Sequence, residues 1–552
     1  GGKAMTWESD KDGYRSHGSW GAEGDIYIMF FDAKAMTEFF RDKEGTEIAK
    51  MLAGDEKKDE KKDEKKDSVK KVEKIKLDLE GREDRIFRLT RNSGRIGTHF
   101  LTEDGKKLLY IVRLESGYDL CSMDLEDKSV RVLKKGVYGF VPSPDGKNIY
   151  ISTGGGISKM SVNGGESKSI SYAGEYEYKP KAEREYIFDH MWKQVKEKFY
   201  DPDLHGVDWD YYRENYRKFL PYINNDFDFA ELLSEILGEL NASHTGGRYR
   251  YSSGLSFGTL GVLYDSEYDG DGLKIKEVLP DGALSIADSE IKAGDIITSI
   301  EGKKIEAGKD WYQLLTGKAG KKIAITVKKG GKKETELFVT PGYSDNALLY
   351  RRWVKMREAK VKELSGGKIG YVHVQGMDSP SFREVYSKAL GKYRTADALI
   401  VDTRHNGGGW LHDDLVTFLG GKDYVNYQPR GRFIGKDPYS KWSKPSCVLV
   451  CEDNYSDACG FPYAYKALGI GKLIGAPVAG TMTAVWWEYQ INSSIVFGIP
   501  QVGSWCIDEG HYSENHQIEP DILVYNDPAS VLRGEDRQLE AAVREMLAET
   551  KK

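Results

Sequence analysis

One hydroxyl in this chain stands where acyl-transfer chemistry could be done. Ser456 lies in Cys451-Glu-Asp-Asn-Tyr-Ser-Asp-Ala-Cys-Gly-Phe-Pro-Tyr-Ala-Tyr465. The apolar run Cys447-Val-Leu-Val-Cys451 before it reads as a core strand. After it, Phe461, Tyr465 and Leu468 recur at helical spacing and Gly469 stops the helix. A serine at a helix start sees unpaired backbone N–H groups and the positive end of the helix dipole, which together can hold an oxyanion. The same position suits an ordinary helix cap, and taken alone the cap is the commoner use.

Three further motifs could supply what a nucleophile needs. Asp402-Thr-Arg-His-Asn-Gly-Gly-Gly409 follows a buried strand, and its glycines let backbone N–H groups approach a ligand closely. No phosphate-cradle pattern is present there, so the readings are an oxyanion donor or a tight glycine turn. His244 follows an amphipathic helix in Asn241-Ala-Ser-His-Thr-Gly-Gly-Arg248 and reads as a general base beside Ser243, or as a structural histidine. Glu514, in Ser513-Glu-Asn-His516, reads as a carboxylate that orients a base or as a plain surface acid. Cys459 lies about a turn into the helix without a base of its own, and reads as a buried thiol and not as a rival nucleophile.

These residues must be positioned by several domains, since 552 residues predict three or four. The fold class expected is multidomain α+β. Residues 1–180 read as β, with Glu103-Asp-Gly105 and Pro144-Asp-Gly146 turns spaced about one propeller blade (~40–50 residues) apart. They predict partial β-propeller blades, too few to close a ring, and hence a piece of a longer protein. A charged insertion at about 52–76 contains the Asp-Glu-Lys-Lys tetrad three times and predicts an exposed segment without chemistry. Residues 181–254 predict a small helical subdomain carrying the base, with Ile187, Met191, Val195 and Phe199 on one face. Residues 255–345 are strand-rich, and 346–552 alternate β and α, which predicts a layered α/β domain. That last domain is expected to include Ile495-Val-Phe-Gly-Ile499 among its strands.

A net charge of -6 is too small and of the wrong sign for a nucleic-acid footprint. No apolar run approaches the ~18 residues that span a bilayer. Five scattered cysteines with no C-x-x-C pair favour a reducing, cytoplasmic compartment. The chain opens Gly1-Gly2-Lys3 without an initiator methionine, so a missing leader and a periplasmic location stay open.

The 255–345 segment resembles a PDZ domain in its Gly282-Ala283, Ala293-Gly-Asp-Ile-Ile297 and Ile300-Glu-Gly302 succession. The resemblance implies recognition of an extended peptide at a sheet edge, with the Leu260-Gly261 loop facing its carboxylate. With the four motifs above, the whole chain resembles the C-terminal portion of a tricorn-type protease, related to the tail-specific (C-terminal processing) serine peptidases. Gly2-Lys-Ala-Met-Thr-Trp7 and Asp12-Gly-Tyr-Arg-Ser-His-Gly-Ser-Trp20 look like that family's propeller. The implied architecture is the end of a propeller, the helical subdomain, the PDZ-like domain and a crotonase/ClpP-like catalytic domain. The implied roles are Ser456 as nucleophile, His244 as base, and Glu514 completing a tetrad through Ser243. The implied oxyanion hole is the N–H of Asp457 and of a glycine in Gly407-Gly408, with Gly407 preferred. Ala458-Cys459 depart from the glycine the family often carries after Ser-Asp. The expectation is a serine peptidase acting on oligopeptides or unfolded polypeptides, with peptide partners, homo-oligomeric assembly, and no cofactor or metal. The alternatives are a non-catalytic PDZ/propeller peptide-binding scaffold and an acyl-CoA enzyme on the related crotonase fold.

Overall fold

The computed structural model describes residues 2–13, 22–41, 43–56, 75, 77–115, 117–251, 254–285, 290–330 and 333–551. The tetrad repeat beyond Glu56 and residues 14–20 of the second N-terminal motif lie outside these. Two compact units are formed, Gly1–Glu177 and Tyr178–Lys552.

The described strands of the first unit all pair antiparallel. Ala4–Ser9, Asp25–Phe30 and Ile86–Arg88 make one sheet; two four-stranded meanders follow, Ile96–Leu101 to Val130–Lys134 and Val137–Pro142 to Lys168–Ile170. The Asp-Gly turns occupy equivalent places in the meanders. In each, a hydroxyl (Thr102 or Ser143) donates to the turn aspartate, and the glycine takes a φ of 68° or 65° that a side chain would resist. Ile26, Ile28, Leu108 and Tyr110 form one core here and Leu109, Ile111, Ile149 and Ile151 another, as strand alternation requires.

In the second unit, helices Pro180–Lys198, Trp209–Arg217 and Asp226–Gly238 bury the predicted apolar stripe. Their core is completed by Ile495, Phe497 and Ile499, which come from far along the chain. The strand bearing these residues, Ile495–Gly503, is not in the α/β sheet. It pairs antiparallel with Gly246–Tyr249 on one side and Thr483–Tyr489 on the other. Two glycines make this close packing feasible. A β-carbon on Gly247 would meet Leu233 Cβ at 2.7 Å, and one on Gly498 would meet the His244 carbonyl at 2.5 Å.

Residues 262–339 fold into a six-stranded antiparallel sheet with Val262–Tyr264 at one edge. The remaining residues build a parallel sheet ordered Ile369–His373, Ala398–Asp402, Ser446–Val450, Lys472–Gly475, Ile522–Leu523. Its first three strands are wholly buried because helices cover both faces. Val372, Leu399, Val401, Val448 and Val450 pack toward the helices His412–Leu419 and Asp457–Ala467. The intervening Tyr371, Ile400, Cys447 and Leu449 pack toward Asn346–Ser365 and Arg537–Glu549. The motif loops 403–409 and 451–456 therefore emerge side by side at the carboxyl ends of two adjacent strands.

Candidate active site

Ser456 is half-buried and takes φ 57° and ψ -127°, a strained conformation for a residue with a β-carbon. A capping serine has extended backbone and accepts an N–H from the first turn. Ser456 does neither: its side chain makes no cap bond to the Asp457–Ala467 helix. The strained turn resembles a nucleophile elbow, which presents a hydroxyl at the top of a sheet. Its own N–H donates to Thr481 Oγ1 (3.0 Å), which fixes the turn from the far side.

The glycine loop lies against this serine and the Asp457 N–H that follows it. Gly408 adopts φ 99°, and a β-carbon there would stand 2.5 Å from Ser456 Cβ and 3.1 Å from Asp457 N. The glycine turn is thus packed directly against the serine. The Gly408 N–H is already donated to Asn406 Oδ1 (2.8 Å), which removes it as an oxyanion donor. The N–H groups of Gly407 and Asp457 have no hydrogen-bond acceptor among the described residues. Asn406 also donates to the Val374 carbonyl (2.8 Å), so the loop is held from within the core.

The loop is anchored beneath by Arg404, only 2 % exposed, whose guanidinium donates to Asp402 (2.7 and 2.9 Å) and Asp536 (2.9 and 3.1 Å). Burial alone would raise the Asp402 carboxyl, but the adjacent Arg404 charge holds it at about 2. The Asp457 carboxylate is engaged elsewhere. It accepts the N–H groups of Leu411 and His412 and the His412 Nδ1 (2.5 Å), tying the start of one helix to the start of the next. That hydrogen bond raises the His412 pKa.

His244 lies in the loop just before the strand Gly246–Tyr249. The His244 N–H donates to the Tyr455 hydroxyl (2.7 Å), and the two rings stand 4.8 Å apart, which sets the imidazole beside the Ser456 turn. No hydrogen bond joins His244 to the Ser456 hydroxyl among the described residues; such pairs commonly tighten only when substrate is bound. Behind the imidazole, Ser243 Oγ is 2.8 Å from Nδ1 and donates to Glu514 Oε2 (3.0 Å). The Ser243 N–H donates to Glu514 Oε1 (2.5 Å). With its proton given to Glu514, the Ser243 oxygen accepts from Nδ1–H, leaving Nε2 bare as an acceptor. Burial lowers the His244 pKa to about 4 and raises that of Glu514, the latter opposed by its bonds to Ser243.

Thr483, which no motif pointed to, lies 3.0 Å from His244 Nδ1 and 3.1 Å from Ser243 Oγ. Thr481, Tyr455, Asn406 and Arg404 likewise carried no sequence signal beyond adjacency to a glycine or serine motif. Cys459 is fully buried, donates to the Asn454 and Ala479 carbonyls, and burial pushes its thiol up to about 11. Just before the 262–339 sheet, Leu260 is 1 % exposed and its side chain belongs to the core, so it is the backbone there that could meet a ligand. The Leu260 and Gly261 carbonyls accept from Leu284 and Leu279, whereas neither N–H has a bond outside the strand ladder among the described residues.

Family models match three stretches: the Tricorn protease C1 domain at residues 180–238, the Tricorn protease PDZ domain at 258–342, and Peptidase family S41 at 368–524. Tricorn protease homolog 1 of Streptomyces coelicolor is 28% identical over 508 residues, covering 86% of this chain and 47% of that protein. The Tricorn protease of Thermoplasma volcanium is 27% identical over 447 residues, covering 78% and 43%. The chain therefore spans about half the length of the curated relatives it matches. A solved crystal structure of the tricorn protease superposes with a TM-score of 0.79 at 19% identity, over 100% of this chain and 54% of that one. That likeness is one of fold.

Proposed function

This chain belongs to the tricorn protease family, and from that premise we propose that it is a serine peptidase hydrolysing oligopeptides or unfolded polypeptides through an acyl-enzyme at Ser456. The observation that carries the reading is the strained, non-capping Ser456 turn flanked by two unpartnered N–H groups. In the reaction, His244 Nε2 takes the Ser456 proton as the oxygen attacks the peptide carbonyl carbon. The carbonyl π electrons move onto oxygen, and the oxyanion is held by the N–H groups of Asp457 and Gly407. The imidazolium, oriented through Ser243 by Glu514, then gives its proton to the leaving amine as the C–N bond breaks. Water, deprotonated by the same nitrogen, releases the acyl group.

The remaining domain assignments belong to the same reading. Residues 181–254 carry the base and 346–552 the nucleophile. The edge at Val262–Tyr264, with the Leu260 and Gly261 N–H groups, would receive an extended peptide and its carboxylate. The two meanders of the first unit are read as propeller blades, and the protein as a homo-oligomer working in the cytoplasm. No helix among the described residues is long and apolar enough to cross a membrane.

The test pairs a serine-reactive covalent probe with turnover of a fluorogenic peptide. Labelling at Ser456, and a loss of about 10⁴-fold in kcat in Ser456→Ala, are expected. Peptide binding without labelling, or full turnover by Ser456→Ala, would overturn the assignment in favour of a scaffold or a different nucleophile.

A further inference from the structure

We propose that His405, Cys451 and Asp453 form a zinc-binding site that staples the glycine loop to the serine loop. His405 Nδ1, Cys451 Sγ and an Asp453 carboxylate oxygen all lie within 4.8 Å of one another. The nitrogen is 2.8 Å from Asp453 Oδ2 and 3.9 Å from Cys451 Sγ. Tetrahedral zinc, with bonds of about 2.0–2.3 Å, holds its ligand atoms roughly 3.3–3.8 Å apart, a spacing these distances bracket. Small rotations of two side chains complete the triangle.

The site is built from both sides. His405 takes φ 63°, rare for a residue with a side chain, and its N–H donates to Cys451 Sγ (3.3 Å), so the backbone as well as the ring of this residue addresses the sulfur. Asn454, 1 % exposed, accepts the Cys451 N–H (3.0 Å) and donates to Thr403 Oγ1 (3.0 Å), locking the two loops around the ligands. Cys451 is buried, while the His405 and Asp453 side chains are 59% and 69% exposed, which gives an ion a way in and leaves a fourth position to water. A thiolate, an imidazole and one carboxylate suit zinc and disfavour magnesium or calcium, which take oxygen ligands. On binding, the thiol proton and the Nδ1 proton that the imidazole shares with Asp453 both leave to solvent, and Nε2 keeps its own. His405 stands two residues before Gly407 and Asp453 three before Ser456, so the ion would join the turns that carry the donor and the hydroxyl.

The test uses the full chain as Ser456→Ala, which keeps every ligand and cannot hydrolyse itself, freed of metal with a chelator and titrated with cobalt(II) and then zinc(II). One cobalt per chain is expected, with a thiolate-to-cobalt charge-transfer band and the strong visible bands of tetrahedral cobalt, both displaced by zinc. Cys451→Ser should lose the charge-transfer band, and His405→Ala and Asp453→Asn should weaken binding by at least ~10-fold. An unchanged melting temperature of metal-free His405→Ala separates lost binding from lost fold, and zinc should raise that of the parent. Absence of a thiolate band would overturn the proposal. So would a band that survives in Cys451→Ser and vanishes in Cys506→Ser, because it assigns the metal to Cys506, Glu509 and His511, the other such cluster among the described residues.

Discussion

Nδ1 of His244 has two hydroxyl oxygens at bonding distance, Ser243 at 2.8 Å and Thr483 at 3.0 Å, and the Glu514 carboxylate stands behind the first. Ser243 is the link through which the carboxylate can fix the imidazole. Ser243→Ala should therefore lower kcat by about 10²-fold with little change in KM, the range of a mispositioned base. Thr483→Val, which leaves that link intact, should cost less than roughly tenfold; steady-state kinetics of the two variants checks the order. The pH profile follows from burial. The His244 pKa is lowered from 6.5 to about 4, so the imidazole stays neutral as pH falls well past the usual histidine range. Glu514, raised by burial, takes up its proton above the usual carboxylate value of 4.5. The acid limb of kcat/KM should thus lie clearly below pH 6.5 and be steeper than one ionisation; a single limb at 6.5 would mean a solvated imidazole. Stability is a poorer readout because the signs oppose. Below pH 6.5 the unfolded chain protonates its histidine before the folded one does, which costs stability, whereas Glu514 binds its proton more readily in the folded state.

At the level of elements, the decisive contact is a turn against a turn. The Gly408 position tolerates no β-carbon, with Ser456 Cβ at 2.5 Å and the Tyr455 carbonyl at 2.8 Å from where one would stand. Gly408→Ala should leave the circular-dichroism spectrum close to that of the parent and lower kcat/KM by about 10²-fold or more, since displacements near 1 Å at a reacting atom cost that much. The glycines and the Ser-Asp pair were legible in the sequence because each imposes a local backbone requirement that restricts residue type. The cap-or-nucleophile ambiguity at Ser456 was not, since both uses place the same residue at a helix start; the φ of 57° and the missing cap bond separate them. Thr483, Thr481 and Arg404 acquire their roles from contacts with distant segments, and no local spacing marks them. The strand Ile495–Gly503 was readable as buried, yet a short apolar run does not name its partner. It joins the strand Gly246–Tyr249 just after His244, not the parallel sheet.

For the molecule as a whole, every residue of the site comes from the Tyr178–Lys552 unit. The isolated 178–552 segment should fold and hydrolyse small fluorogenic peptides within about tenfold of the full chain; loss beyond that would assign the first unit a part in the chemistry, beyond any part in substrate choice. The pairing of Gly246–Tyr249 with Ile495–Gly503, and of Ser243 with Glu514, spans most of this unit's length, with Ser243 and Glu514 271 residues apart. Contacts of such separation form late, after the local ones. During synthesis His244 is made first, then Ser456, and Glu514 last. Between the last two points a nascent chain would carry the Ser456 hydroxyl without the docked carboxylate, and the proposed chemistry would wait until residue 514 has emerged and docked. Translation products arrested before residue 495 should be inert toward serine-reactive probes, and chains extended well past residue 514 reactive. Long-range pairing would in this way hold back the proposed activity until the segment around residue 514 has docked.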